Sequence, residues 1–182
     1  MSDEFLTQGL EGDRYLKAVK LVDRFETELR HELKRIGNET VDENPALFPK
    51  GVDPKWNNHV SSSGGVLAFG RFDYRMDREN PSTGDRLKLN YAFRWVEPGI
   101  VGHEGNGPLT FISYTIKNAP DEDYRKVIEA TRGGEGDVSV GDDPYGKYPA
   151  TFYVPVGDAD GLKSGGEALK KHFSGFGSNF GV

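Results

Sequence analysis

The chain has 182 residues and no cysteine, with 23 basic against 29 acidic residues and a net charge of −6. That composition excludes disulfides, thiolate nucleophiles and cysteine-ligated zinc. It also weighs against broad, non-specific nucleic-acid binding.

The start, MSDEFLTQGL, is acidic and reads as no secretory signal. No window nears the roughly 20 apolar residues of a membrane helix. A soluble, cytoplasmic protein without membrane contact is therefore expected. At this length folding buries roughly two thirds of the chain's surface, so one globular domain over 1–182 is expected.

From Gly12 to Ile36 the period is helical. Tyr15, Val19, Val22, Phe25, Leu29, Leu33 and Ile36 recur at three- and four-residue steps and form one apolar stripe. Glu26 and Arg30 make an i,i+4 pair, and Gly37 reads as the left-handed cap. Residues 38–64 carry Pro45, Pro49 and Pro54 and no clear period, so a long irregular loop is expected, packed through Leu47, Phe48, Val52 and Trp56.

Three strands follow. In 65–76, Val66, Ala68, Phe72, Tyr74 and Met76 share a face. In 87–96, Leu87, Leu89, Tyr91, Phe93 and Trp95 alternate with Lys88, Asn90, Ala92 and Arg94. In 109–117, Ile112, Tyr114 and Ile116 face the core. A second helix opens at Pro120 with Asp121, Glu122 and Asp123 in its first turn, and Gly133 ends it. After a Gly-rich loop, ATFYVPV makes a fourth strand. A last helix opens on a capping-box spacing, Ser164 to Glu167, and the tail at 174–182 is expected to be mobile unless its aromatics dock. The fold expected is α+β, in the order α-β-β-β-α-β-α, with helices on one face of a small mixed sheet.

This order resembles in outline the core of restriction-endonuclease-like nucleases, and Thr115-Ile116-Lys117 lies where that family has its acid-x-lysine motif. The resemblance implies a metal held by carboxylates on the second and third core strands, with the lysine steadying the attacking water. Threonine stands at the acid's position, and the nearest aspartate, Asp85, lies in the turn before the second strand. Lys117 therefore reads as a strand-end lysine leaving for solvent.

Two constellations remain. Antiparallel strand direction brings the segments WNNHVSSSGG, EPGIVGHEGNGP and GGEGDVSVGDDPYGKYP towards one end, with His59, His103, Glu104, Asp142 and Asp143. None of the familiar metal spacings is present there, so neither metal nor cofactor is expected. The second is the outer sheet face, where Phe69, Arg71, Asp73, Arg75, Lys88, Asn90, Arg94, Phe111, Ser113, Thr115 and Lys117 point away from the core.

Basic residues with aromatics on an open sheet suit single-stranded nucleic acid. The acidic net charge favours a protein partner instead. The binding candidates are Arg71, Arg75, Lys88, Arg94, Phe111, Lys117, Trp56, His59 and His103. The reading reached is a non-enzymatic binding module acting through an open sheet face or the long Gly-rich loops, with a metal-dependent hydrolase or nuclease, or a single-strand nucleic-acid binder, as alternatives. Phe173, Phe176 and Phe180 offer a docking segment or an oligomer contact.

Overall fold

The computed structural model describes residues 12–63, 66–97, 106–107, 109–134 and 136–181, leaving out the side chains of 58–69. The chain divides into two compact units, residues 1–32 and 33–182, where length alone suggested one. Helix α1 runs Gly12–Glu43 and contributes to both.

In the first unit, Leu29 is buried. Tyr15, Leu16, Val19, Leu21, Val22 and Phe25 are exposed, from 45% at Val19 to 71% at Leu21. The stripe expected to face a core is thus open to solvent over residues 15–25. Lys17 and Asp13 pair at 2.7 Å within this segment.

In the second unit, α1 continues through Gly37 instead of stopping there. Gly37 is a close-approach site, because an added Cβ would enter the Tyr74 ring. The Tyr74 hydroxyl lies 3.1 Å from the Lys34 carbonyl and 3.2 Å from Asn38 Oδ1. Proline then stops the helix, as it cannot supply the needed N–H.

Among the described residues six strands follow: β1 (Lys55–Ser63), β2 (Val66–Glu79), β3 (Arg86–Val96), β4 (Leu109–Lys117), β5 (Ser139–Gly141) and β6 (Thr151–Pro155). Helix α2 (Asp121–Gly133) lies between β4 and β5, and α3 (Ala159–Phe176) follows β6. The sheet order is β1-β2-β3-β4-β6-β5, and every neighbouring pair is antiparallel, so the sheet is not mixed. The helix–meander–helix–strand–helix order is as expected, with two further strands. β1 occupies part of the segment expected to be irregular. KWNNHVSSS lacks apolar alternation because it is an edge strand, held by backbone pairing to β2.

One cross-strand row explains the core. Trp56, Phe72, Tyr91, Tyr114, Phe152 and Val140 are successive partners across all six strands. Their rings meet at 4.6 Å (Trp56–Phe72), 6.0 Å (Tyr91–Tyr114) and 5.0 Å (Tyr114–Phe152), within the range of favourable aromatic pairs.

Helices cover this inner face. Thr40 of α1 meets the Tyr91 hydroxyl at 2.9 Å, and Tyr124 of α2 hydrogen-bonds the Ile116 N–H and carbonyl at 2.6 and 2.7 Å. α3 packs Gly165 on Val154 and Ile112, and Gly166 on Ile36. It starts earlier than the capping-box spacing suggested, because the Asp158 carboxylate accepts from the Gly161 N–H at 2.7 Å. Glu167 instead joins Glu39 and Glu43 around Lys170, at 2.8, 3.1 and 3.0 Å.

The tail docks. α3 continues to Phe176, a short 3-10 turn covers Gly177–Asn179, and Phe180 is fully buried against Tyr124 at 5.3 Å. Among the described residues, no helix is long and apolar enough to cross a membrane.

Candidate functional site

The outer sheet face is not open at its centre. The loop between β5 and β6 lies over it. Asn90 Nδ2 donates to the Tyr148 hydroxyl at 3.2 Å, and the Arg94 guanidinium sits 5.5 Å from the Tyr145 ring centre. Asp143 is the anchor: it accepts from the Lys147 N–H at 2.8 Å and the Thr151 hydroxyl at 3.2 Å, and lies 3.7 Å from Arg94 Nη1. Arg94, expected on an exposed basic surface, is only 5% exposed. Phe111, expected as a stacking ring, is packed with Val96, Leu109, Tyr145 and Tyr153. The cause is the same in both: the aromatic loop covers them.

Burial pulls the Arg94 guanidinium below its ordinary pKa, and the Asp143 carboxylate opposes that shift. Arg94 Nε and Nη1, Asn90 Oδ1 and the Tyr145 hydroxyl are buried without a hydrogen-bond partner. Arg71 donates to Asp73 at 2.9 Å, and Asp73 also accepts from Asn57 at 2.6 Å. This central cluster is two cations against two anions, electrically balanced.

Towards the end of the face where β4 finishes, the balance changes. Arg75 is the cross-strand partner of Lys88, and Lys88 is the partner of Lys117. Arg75 and Lys117 are exposed and Lys88 is half-buried. Nearby Arg86 is paired with Asp77 at 3.1 Å and with Glu79 at 3.3 Å. Thr115 is opposite Asn90, so the cross-strand neighbour beside Lys117 is a lysine and not a carboxylate. Among the described residues, no group of three or more histidines or carboxylates is arranged to hold a metal.

Trp56 is half-buried on the β1 edge, where its ring lies over Gly70 and ends the aromatic row. His59 belongs to β1, but its side chain lies outside the described residues, as do His103 and Glu104. Of the residues expected to converge there, Asp142 is exposed and Asp143 is held under Arg94, while the side chains of His59, His103 and Glu104 lie outside the described residues.

Sequence reasoning passed over His172. A cleft of about 640 Å³ is lined by Thr131, Val138, Lys171, His172 and Phe176 among others. The Thr131 hydroxyl donates to the Val127 carbonyl at 2.7 Å, so it accepts from His172 Nε2 at 2.8 Å. Nδ1 is then the acceptor for the Tyr114 hydroxyl at 2.7 Å. Both nitrogens are committed, and the imidazole is a neutral core bridge rather than an acid, base or ligand. The signal was its place one residue before Phe173 and four before Phe176, on the inward side of α3.

No family model, characterised protein or solved structure matches the chain.

Burial holds the His172 pKa at about 4, below the ordinary 6.5. The unfolded chain therefore takes up this proton first. Stability from this group is fully present above pH 6.5 and is lost as pH falls towards 4. The loss, discounted for partial exposure, is about 1–2 kcal/mol. Melting temperature should fall between pH 6.5 and 5, and His172→Phe should flatten that slope. An equal slope in the variant would remove His172 as its source.

Proposed function

We propose that the protein is a non-enzymatic interaction module whose principal contact is with protein, a second copy meeting it along the apolar face of α1. The observation that supports this reading is the solvent-exposed set Tyr15, Leu16, Val19, Leu21, Val22 and Phe25. Six large apolar side chains on three helical turns form a patch of the kind that marks association surfaces.

The spacing suggests what covers it. Tyr15, Val19 and Val22 follow four- and three-residue steps, which fit a facing helix. An antiparallel pairing of two copies sets Tyr15, Val19 and Val22 of each helix against the same residues of the other. Such an arrangement is self-complementary, as a two-fold contact requires.

Light scattering after size exclusion, across a concentration series, tests the reading. The wild type should form a dimer that dissociates on dilution. Val19→Glu with Val22→Glu should be monomeric with unchanged helix content, since both positions are solvent-exposed in the single chain. A wild type that stays monomeric at high concentration would sink the proposal.

A further inference from the structure

We infer that the end of the outer sheet face bearing Arg75, Lys88 and Lys117 is a docking strip for an acidic polypeptide segment. This goes beyond the α1 contact and uses none of its residues.

These three cations are direct cross-strand neighbours on β2, β3 and β4, so they share one face. Neighbouring strands lie roughly 4.8 Å apart, and like charges placed directly opposite one another destabilise a sheet. Keeping a sheet soluble needs charge, but not charge of one sign in one row. Arg86, close by on β3, has Asp77 and Glu79 as partners. Arg71, further along β2, has Asp73. Arg75, Lys88 and Lys117 have none among the described residues, and they are accessible. The strip is therefore a standing positive field that an incoming anion would relieve.

Two classes of polyanion compete for it, and the surroundings decide between them. A single-stranded nucleic acid draws much of its affinity from rings on which bases stack. Of the described aromatic residues of this face, Phe111, Tyr145 and Tyr153 are packed together with Val96 and Leu109, away from the strip, and Tyr148 is half-buried with its hydroxyl held by Asn90. Carboxylates ask only for charge and spacing. On a helix, acidic side chains three or four positions apart lie roughly 5–6 Å from each other, close to the strand spacing. An acidic helix laid across β2, β3 and β4 can thus meet each cation in turn.

Fluorescence anisotropy with a labelled oligoglutamate peptide tests this, with labelled oligothymidylate as the second probe, at low and high salt. The wild type should bind oligoglutamate at low salt. Replacing Arg75, Lys88 and Lys117 together by Gln should weaken binding by about tenfold and flatten its salt dependence. Arg125→Gln with Lys163→Gln, two exposed helix positions, should leave binding unchanged. The triple variant should also melt at the same or a higher temperature, because it relieves like-charge repulsion. No binding of oligoglutamate at low salt would overturn the inference, as would equal binding by the triple variant. Tighter binding of oligothymidylate through the same three residues would replace it with a nucleic-acid site.

Discussion

Asp143→Ala is expected to cost about 3–5 kcal/mol, the range for breaking a buried ion pair by removing one partner. Its carboxylate is fully buried, and it holds the loop over the outer face through Lys147 N–H and the Thr151 hydroxyl. It is also the counter-charge of Arg94, whose side chain is 6% exposed. Removing it leaves a buried guanidinium with no anion and two donors with no acceptor. Desolvation has already been borne by both charges, so the survivor carries the whole penalty.

The converse substitution should be milder. Arg94→Met also strips a buried charge of its partner, but Asp143 keeps both of its hydrogen-bond donors, so a loss of about 2–3 kcal/mol is expected. Urea unfolding of the two variants and their combination measures the asymmetry. Equal losses in the two single variants would mean that loop packing, and not the charge, governs this cluster.

Phe180→Ala is expected to cost about 3–5 kcal/mol, the range for a fully buried aromatic truncated in a core. Phe180 has no exposure, its ring lies 5.3 Å from Tyr124, and the next N–H, from Gly181, donates to Asp123 at 3.0 Å. The chain reaches this site because Gly177 packs tightly against Leu47 and Phe173, where a side chain would not fit. Phe176, half-buried, rests 4.9 Å from the His172 ring. A tail that merely frayed would tolerate the substitution within about 0.5 kcal/mol. Chemical denaturation separates the two outcomes, and faster proteolysis of the variant near its end would locate the change.

These residues show where sequence reasoning reached and where it stopped. β3 was legible because Leu87, Leu89, Tyr91 and Phe93 alternate with polar neighbours along the same strand, and that signal is local. β1 was not, since an edge strand takes its shape from the backbone of β2 and needs no apolar period. Gly37 looked like a helix stop, yet its lack of a side chain serves Tyr74, thirty-seven positions later in the chain. The site residues divide in the same way. Arg94 and Arg75 read alike as outward cations on alternating strands. Only the placement of the Asp143–Tyr148 loop buries one and leaves the other in solvent.

The sequence by itself determined the α+β class, the order of helices and long strands, and the absence of thiol chemistry. Those follow from periodicity, prolines and composition, which act within a few residues. The tertiary structure decided which polar groups are buried, that Phe180 closes the core, and that three cations stand in one row. Each depends on cross-strand register or on a distant segment folding back, and neither leaves a periodic mark in the residues concerned.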